Sequence, residues 1–488
     1  MFTQADDVPG GSTVGADVVV AGAGAAGITL ARELASSGAR VLLLESGGLD
    51  YDQDTQDLYQ GTSTGSPYAV AESRLRYFGG TTNHWGGWVR PLDPVDFTGR
   101  PWVPHTGWPI DYGALGDHYG RALELATGLD DEPFEWSHWS DTHEDVEEFA
   151  PGSGVRSAVF RIAPVRFGEA YRGELRDSTD IQVHLGANVV EVATDASGTR
   201  VEDLTVRTLG GNQYRVGAPR YVLALGGIEN ARVMLASSGS VPGGVGNTSD
   251  LVGRYFMDHI EGDVATLVAS TEIPSIYLGG RYDLARAMLT LDEDLIGDNE
   301  LAGVGFVVEP LADASEVPDG GIPIRSVASV MEALSGRRPT TCALGVRAEP
   351  EPNPESRITL GDDTDALGMP RIRLHRRLTE GDHRRLRRSV EVMASQLGAA
   401  GAGWTRVEEI LDGTDEPLLY GWHHMGTTRM GRDSADSVVN PDCRVHEVEN
   451  LWIAGSSVFP SAGYANPTLT IVALALRLGE HISAAAAR

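Results

Sequence analysis

Short apolar runs separated by glycines dominate the start of the chain. Asp17 to Val20 begins an apolar strand, Ala25 to Ser36 has a helix-forming composition that ends before Gly38, and Arg40 to Glu45 is a second, almost wholly apolar strand. A strand, a helix and a strand in this order predict a βαβ unit on a parallel sheet.

Two later segments extend this pattern. Tyr221 to Leu225, followed by Gly226-Gly227 and a helical pattern to Ser237, predicts another strand-turn-helix step onto the parallel sheet. Leu451 to Leu476 carries no charge, but its serines, Asn466 and two prolines leave only Leu469 to Leu476 as an apolar stretch. That stretch is too short to cross a membrane and predicts a buried helix.

Other segments have weak patterns. Residues 1–15 contain no Lys or Arg and no apolar run, so we expect a loose leader rather than a secretory signal. The stretch from Asp130 to Glu148 is acidic and contains Trp136 and Trp139. We expect residues 111–149 to form a helix and an acidic loop, as a solvated insertion or as a lid over a binding site.

Composition narrows the class of protein. A chain of 488 residues, 41% hydrophobic, has enough apolar material for two intertwined domains. The formal charge of −30 predicts no nucleic-acid or anionic-membrane partner. Cys342 and Cys443 are the only cysteines, which excludes a disulfide framework and fits a cytoplasmic location.

A glycine-rich turn joins the first strand to the first helix. Gly22, Gly24 and Gly27 form G-x-G-x-x-G in the context that dinucleotide binding requires, with Ala25 and Ala26 inside the motif. Glu45, at the end of the second strand and before Ser46, stands where a carboxylate accepts hydrogen bonds from a ribose diol. The motif predicts a dinucleotide site and leaves NAD and FAD as alternatives.

Several motifs spread along the chain resemble those of one family. The C-terminal ones are HHMGTTRMG at 423–431, NLWIAGS at 450–456 and ANPT at 465–468; earlier ones are FGGTTNHW at 78–85, the stretch 354–361 and GMP at 368–370. Together they resemble the signature of glucose-methanol-choline (GMC) oxidoreductases. The Asn-His-Trp run and the GIENAR segment at 227–232 are similar to the sugar-oxidising branch, with pyranose oxidases and bacterial glycoside 3-oxidases.

The resemblance implies the cofactor and the fold. It implies FAD, held by an α/β domain of the Rossmann-like type shared with p-hydroxybenzoate hydroxylase, and a smaller substrate domain with an antiparallel sheet. The FAD domain is expected at about 16–110, 150–260, 345–372 and 430–488, and the substrate domain at about 261–344 and 373–429. Beyond the motif glycines, the predicted FAD contacts are Gly79, Gly80, Thr82, Asn83, His84, Val189, Val190, Gly226, Gly455, Ser456, Asn466, Pro467 and Thr468.

Alcohol oxidation through a flavin requires a base for the hydroxyl proton. His423 occupies the family's catalytic position, and an imidazole can be neutral at working pH. Asn466 can donate to the substrate oxygen as negative charge develops there. His424 should point to the opposite face of an extended segment and pack. No nearby residue completes a metal-ligand spacing, so no metal is expected.

His84 is the residue with two open interpretations. In some relatives the matching histidine is bonded covalently to the flavin, whereas in others FAD is held without such a bond. Gly86 departs from the hydroxyl residue of fungal pyranose oxidases, which leaves covalent attachment and oxygen reactivity open. In either case His84 is expected beside the flavin.

The predicted reaction is FAD-dependent oxidation of a secondary alcohol of a sugar or glycoside, at C2 or C3 of a pyranose. The alternatives are another alcohol, such as a polyol, an aminoglycoside or a choline-like amine, or lyase chemistry with a structural FAD. The sequence does not choose between oxygen and a quinone as electron acceptor.

Overall fold

The computed structural model describes residues 1–129, 134–279, 284–311, 324–408 and 419–486. The strands are β1 Phe2–Gln4, β2 Thr13–Gly15, β3 Val18–Ala21, β4 Val41–Glu45, β5 Gly61–Gly65, β6 Trp88–Val89, β7 Val155–Ile162, β8 Ile181–Leu185, β9 Asn188–Thr194, β10 Val201–Arg207, β11 Gln213–Gly217, β12 Tyr221–Leu223, β13 Ile260–Ala269, β14 Ala285–Leu291, β15 Val304–Pro310, β16 Thr340–Ala348, β17 Arg357–Thr364, β18 Pro370–Arg376, β19 Gly403–Val407, β20 Leu419–Tyr420 and β21 Leu451–Ile453. The α-helices are α1 Ala25–Ser36, α2 Gln53–Gln56, α3 Pro94–Phe97, α4 Gly113–Thr127, α5 Trp136–Thr142, α6 Phe167–Ala170, α7 Arg172–Asp177, α8 Gly226–Ala236, α9 Ser275–Leu278, α10 Glu293–Asp298, α11 Ile324–Ser335, α12 Glu380–Ala399 and α13 Thr468–Ala486.

A six-stranded parallel sheet forms the first of two main regions of the fold. Its order is β1-β8-β4-β3-β12-β21, and each neighbouring pair is parallel. Every residue of β3 and β4 is buried, as expected for strands covered on both faces. The predicted β3-α1-β4 unit and the step from β12 to α8 are both present, so the α/β class is confirmed.

An eight-stranded antiparallel sheet forms a second region with its own core. Its order is β19-β13-β16-β15-β14-β7-β6, with β20 also paired to β13. This is the predicted antiparallel sheet, but β6 and β7 belong to it although their residues were assigned to the FAD domain. Their partners lie far along the chain, since Trp88 pairs with Ile162 and Ala285 with Arg161. β6 has only two residues, and β7 pairs with strands far away in the chain. No local sequence pattern therefore indicates this pairing.

The first fifteen residues are ordered, which corrects the prediction of a loose leader. β1 extends the parallel sheet beside β8, and β2 pairs with β11 of a four-stranded sheet. The amino group of Met1 donates to the carbonyls of Leu175 and Ile181, both at 3.0 Å. Strands of three residues are too short to show a period of two, and for this reason the sequence pattern missed them.

Two further predictions concern single segments. Within the acidic stretch, α5 forms and Trp139 is buried in the core of the antiparallel sheet, so that part is a packed segment; residues 130–133 lie outside the described part of the chain.

The predicted buried helix is the first half of α13, which packs against α1 and α4. Although α13 is long and apolar enough to cross a membrane, 56% of its apolar window is buried inside the protein, and such a helix alone is weak evidence for a membrane span.

Candidate active site

An elongated cavity of about 670 Å³ extends from the turn after β3 to the loop before α13. Its size suits a cofactor or ligand site. Most of the residues predicted from the sequence line it: Gly22, Gly24, Ala25, Ala26, Glu45, Ser46, Gly80, Thr82, His84, Val189, Gly226, His423, Gly455, Ser456, Asn466, Pro467 and Thr468. The fold therefore brings the N-terminal and C-terminal motifs to one site.

The glycine motif has the geometry of a nucleotide-binding turn. Gly22 has φ of 103°, and a Cβ there would lie 2.4 Å from the Ala224 carbonyl oxygen. A Cβ on Gly27 would lie 1.8 Å from the Gly22 carbonyl oxygen, so Gly27 packs α1 against the turn and does not line the cavity. At Gly24 a Cβ would meet no atom within 4 Å, because that position faces open space. The first and third glycines thus permit packing, and the second leaves room for a ligand.

Glu45 is held at the same turn. Its Oε2 accepts from the Ala23 amide at 3.0 Å, and its Oε1 accepts from the Gly47 amide at 2.8 Å. Burial raises the pKa of Glu45, and these amide donors oppose the rise. Each carboxylate oxygen can accept more than one hydrogen bond. Glu45, which lines the cavity, can therefore still accept from a ribose.

Some residues of the loop at 78–85 line the cavity, and others hold the loop in shape. Asn83 and Gly79, both predicted to contact FAD, do not line the cavity. The Asn83 amide donates to Phe78 O at 2.8 Å and accepts from Gly168 N at 3.1 Å, and the Gly79 amide donates to Ala23 O at 2.8 Å. They shape the loop instead.

His84 and the two valines of β9 are the remaining predicted FAD contacts near this loop, and they differ in whether they line the cavity. His84 lines the cavity, and its Nε2 is 2.8 Å from the Tyr77 hydroxyl; its covalent attachment stays a prediction. Val190 is buried but does not line the cavity, whereas Val189 does. Neighbouring strand residues point to opposite faces, which explains the difference.

A buried charge cluster lies on the cavity wall and was not predicted. Glu229 of α8 pairs with Arg74 at 2.9 Å, Arg76 at 3.3 Å and Arg232 at 3.3 Å. Burial opposes ionisation of Glu229, but Arg232 and the other two arginines prevail and lower its pKa to about 2. The sequence signal was slight: Arg74 and Arg76 stand two apart, just before the flavin loop. The cluster places fixed positive groups beside the nucleotide turn.

At the other end of the cavity, strand pairing positions His423. Met257 and Met425 form an antiparallel bridge with mutual amide-to-carbonyl bonds of 3.0 and 2.9 Å. Two residues along each segment from this bridge, His259 stands opposite His423. Their Nδ1 atoms are 2.9 Å apart.

A local bulge precedes His423. Trp422 adopts φ of 58°, a conformation that is strained for a bulky residue, and its side chain is 50% exposed at the cavity. The carboxylate of Asp258 accepts from the amides of Trp422 at 3.2 Å and His423 at 2.7 Å. A Cβ on Gly421 would lie 2.6 Å from His423 Nδ1, so the bulge requires glycine there. The bulge leaves Trp422 exposed at the cavity and places His423 between His259 and Asn466.

Asn466 meets His423 from the loop before α13. Its Nδ2 is 3.2 Å from His423 Nε2, and its Oδ1 accepts from Arg347 Nη1 at 2.5 Å. Arg347 on β16 is also bonded through Nε to Glu261 of β13 at 2.6 Å, and these two residues are directly opposite in the sheet register. Because Arg347 can only donate, it fixes Asn466 with its NH₂ group toward His423.

The histidines at this end are neutral. Burial lowers the pKa of His423 well below its usual value, and His259, Arg347 and His424 lower it further. Burial also lowers the pKa of His259 and of His424, each to about 3. The His424 ring lies against Tyr68 and Phe256, as the packing prediction expected, although it also lines the cavity. A neutral His423 has one ring nitrogen free to accept a proton.

The fold brings three possible metal ligands together, although the sequence spacing predicted no metal site. The ligand atoms of His259, Glu261 and His423 lie within 4.8 Å of one another. His259 bonds to Gly463 and His423, and Glu261 is paired with Arg347. Hydrogen bonds therefore account for this cluster, and the absence of a metal stays a prediction.

Comparison with known proteins identifies relatives of this chain. A family model described as GMC oxidoreductase matches residues 352–475, which include His423 and Asn466. The fructose dehydrogenase large subunit of Gluconobacter japonicus is 25% identical over 96% of this chain and 98% of its own length. The chain therefore contains the C-terminal domain of the GMC oxidoreductases.

Other matches concern part of the chain or the fold alone. A C-glycoside 3-oxidase of Arthrobacter globiformis is 32% identical to this GMC oxidoreductase over 59% of this chain and 50% of its own length. The crystal structure of pyridoxine 4-oxidase from Mesorbium loti superposes with a TM-score of 0.60 at 19% identity, covering 95% of this chain and 98% of that one. The second likeness confirms the fold.

This GMC oxidoreductase is FAD-dependent and acts on CH–OH donors. The cavity fits a dinucleotide, because a Cβ on Gly24, Gly226 or Gly455 would meet open space there. The N-termini of α1, α8 and α13 also begin at cavity-lining residues, where free amides favour phosphates and other anionic groups. Glu45 would hold the ribose, and His84, His423 and Asn466 would lie toward the flavin end.

Proposed function

We propose that this enzyme oxidises a secondary alcohol of a sugar or glycoside, at C2 or C3 of a pyranose, with His423 as base. The observation that carries the proposal is the pair formed by His423 Nε2 and Asn466 Nδ2, 3.2 Å apart on the cavity wall. One is a ring nitrogen that can accept, and the other is an amide nitrogen that can only donate. A hydroxyl group needs this combination when it loses its proton.

The chain's residues would perform the proton chemistry. FAD, when bound, supplies the acceptor for the hydride that leaves the alcohol carbon. His423 takes the hydroxyl proton, which it can do because its lowered pKa keeps it neutral at physiological pH. Asn466 donates to the same oxygen as negative charge develops on it, and Arg347 keeps that amide in the donating orientation.

Three observations support a sugar-like substrate. Trp422 presents a half-exposed indole face beside His423, which suits the apolar face of a pyranose ring. Among the described residues, Glu261 lies close to the catalytic pair and is neutralised by Arg347, so this carboxylate is not available to attract a choline-like cation. The names of two relatives, a fructose dehydrogenase and a C-glycoside 3-oxidase, also concern carbohydrate substrates.

The test is anaerobic reduction of the purified, FAD-containing enzyme. A panel of monosaccharides, glycosides, polyols, aminoglycosides and choline is added while the visible flavin band is recorded. We expect a monosaccharide or glycoside to bleach the band, with a keto sugar as product. Bleaching by choline or a simple polyol alone would contradict the substrate class, and turnover of a sugar without bleaching would indicate lyase chemistry instead.

A further inference from the structure

We propose that His259 is a positioning residue that holds His423 in the tautomer needed for proton abstraction. The proposal rests on the role of His423 proposed above. His259 does not line the cavity, and none of the motifs that carry the family resemblance includes it. Its ring lies between the His423 ring and the Gly463 carbonyl, with contacts of 2.9 Å from Nδ1 to Nδ1 and 3.0 Å from Nε2 to the carbonyl oxygen.

The Gly463 carbonyl can only accept a hydrogen bond, and this determines which nitrogens of the two histidine rings carry protons. The Gly463 carbonyl has no proton, so His259 Nε2 must carry one and donate it. In a neutral ring the other nitrogen, Nδ1, is then an acceptor. His423 Nδ1 faces that acceptor and must donate, which leaves the lone pair of His423 on Nε2. This nitrogen faces the cavity and the NH₂ group of Asn466, which donates to it and so favours the same tautomer as His259 does.

The opposite assignment is electrostatically unfavourable. With the His259 proton on Nδ1, the Nε2 lone pair would face the Gly463 carbonyl oxygen at 3.0 Å, without a proton between them. His259 has none of its surface exposed, so water cannot relieve this repulsion. A buried acceptor that faces another acceptor, with no donor between them, destabilises the arrangement. The enclosed site therefore selects one tautomer of His259, and through it one tautomer of His423.

The residue that supplies this carbonyl is held in place by other contacts. The amides of Ala462 and Gly463 donate to Glu349 Oε1 at 3.1 and 3.0 Å, and Glu349 is paired with the buried Arg100. Gly463 adopts φ of 61°, and a Cβ there would lie 2.7 Å from Asp96 Oδ2. Gly463 is thus held through its own amide and packs closely against Asp96. It can serve as a reference that orients His259.

Two substitutions separate the two hydrogen bonds of His259. In His259→Asn, the amide oxygen lies near the position of Nδ1 and can still accept from His423. In His259→Gln, the amide nitrogen lies near the position of Nε2 and can still donate to Gly463. His259→Phe keeps a ring and neither bond. His383→Asn, at an exposed position on α12, is the matched control.

The direct readout is the position of the proton on His423, which requires no substrate. Holoenzyme is labelled with ¹⁵N-histidine, long-range ¹H–¹⁵N spectra are recorded near pH 7.5, and His423→Gln identifies the His423 signals. We expect the proton on Nδ1 in the wild type, in His259→Asn and in the control, and a shift toward Nε2 in His259→Gln and His259→Phe. A proton on Nε2 in the wild type, or an unchanged Nδ1 proton in His259→Phe, would overturn the proposal.

The second readout is the rate of anaerobic flavin reduction, compared with the melting temperature. We expect His259→Asn to reduce flavin at least tenfold faster than His259→Gln, although Gln retains the bond to Gly463 and melts no lower than Asn. Rates that simply follow melting temperature would indicate a merely structural role. The pH dependence of the rate is recorded for each variant, because Arg347, Glu261, Asp258 and His424 also surround His423. If no alcohol reduces the wild type, the proposed function fails while the tautomer result stands.

Discussion

The two ends of the cavity are built in different ways. At the nucleotide end, the glycine turn and the acidic residue come from one continuous βαβ unit, in which Gly22, Gly24 and Gly27 shape the turn and Glu45 ends the second strand. At the other end, which we propose is catalytic, His423 is held by side chains from three distant segments, namely His259, Arg347 and Asn466. The comparison indicates that the nucleotide-binding turn is set by local backbone shape, whereas the orientation of His423 depends on tertiary contacts that direct a few hydrogen bonds.

The largest effect is expected at the nucleotide end. In Gly27→Ala, the new Cβ would lie 1.8 Å from the Gly22 carbonyl oxygen, so α1 must move away from the turn. We expect loss of bound FAD and of most soluble protein. Gly24→Ala is the matched variant, because its Cβ meets open space; it should fold normally and only weaken FAD binding. Flavin absorbance per protein and melting temperature check this, and equal behaviour of the two variants would contradict the account.

At the catalytic end, removal of the base should spare the cofactor. We expect His423→Ala to keep its yellow colour and melting temperature but to lose turnover by about 10² or more, the range of general-base contributions. His383→Ala, at an exposed position on α12, should match the wild type. Steady-state kinetics with normalised flavin content provides the measurement. Unchanged turnover in His423→Ala would remove this residue from the mechanism.

A smaller effect is expected from the exposed indole beside the base. Trp422→Ala removes the aromatic face but leaves His423 and Asn466 in place, so it should raise KM about tenfold for a pyranose and change kcat little. Trp422→Phe should recover much of the affinity, because it keeps an aromatic face. A loss confined to kcat would mean that Trp422 supports the backbone bulge rather than the substrate.

The smallest predicted effect is on stability in acid. The folded pKa of His424 is about 3, below its usual value of 6.5, so above pH 6.5 the ring is neutral in both folded and unfolded states. As the pH falls below 6.5, only the unfolded chain gains the proton, and stability decreases by about 1.4 kcal/mol per pH unit for each such group. His424→Phe should therefore reduce the pH slope of unfolding free energy between pH 6 and 4.5 by about 1 kcal/mol per unit. Urea unfolding of both proteins at several pH values tests this, and parallel slopes would contradict it.

The same contrast explains what could be predicted from sequence. The bounds of α1, Ala25 to Ser36, follow from the local pattern and are reproduced by the structure. The pairing of β6 with β7 and the support of His423 by His259 depend on register between segments far apart in the chain. A single histidine before a strand carries no periodic or spacing signal that points to such a partner.

Glu261 and Arg347 illustrate the same limit. They face each other only because β13 pairs with β16 in one register, and a shift of one residue would put their side chains on opposite faces. The resemblance of motifs supplied His423 and Asn466 but not the residues that orient them. Orientation of a hydrogen bond is a property of the packed fold, so it appears only once the strands are paired.

In the proposed reaction, a hydride leaves a sugar carbon while His423 takes the hydroxyl proton. It is tested most directly by anaerobic stopped-flow reduction of the wild-type flavin with a reactive pyranoside carrying deuterium at C2 or at C3. We predict that bleaching slows severalfold when deuterium is at the oxidised carbon and is unaffected by deuterium at the other. Bleaching with no isotope effect at either carbon, or a sugar product formed without any bleaching, would contradict it.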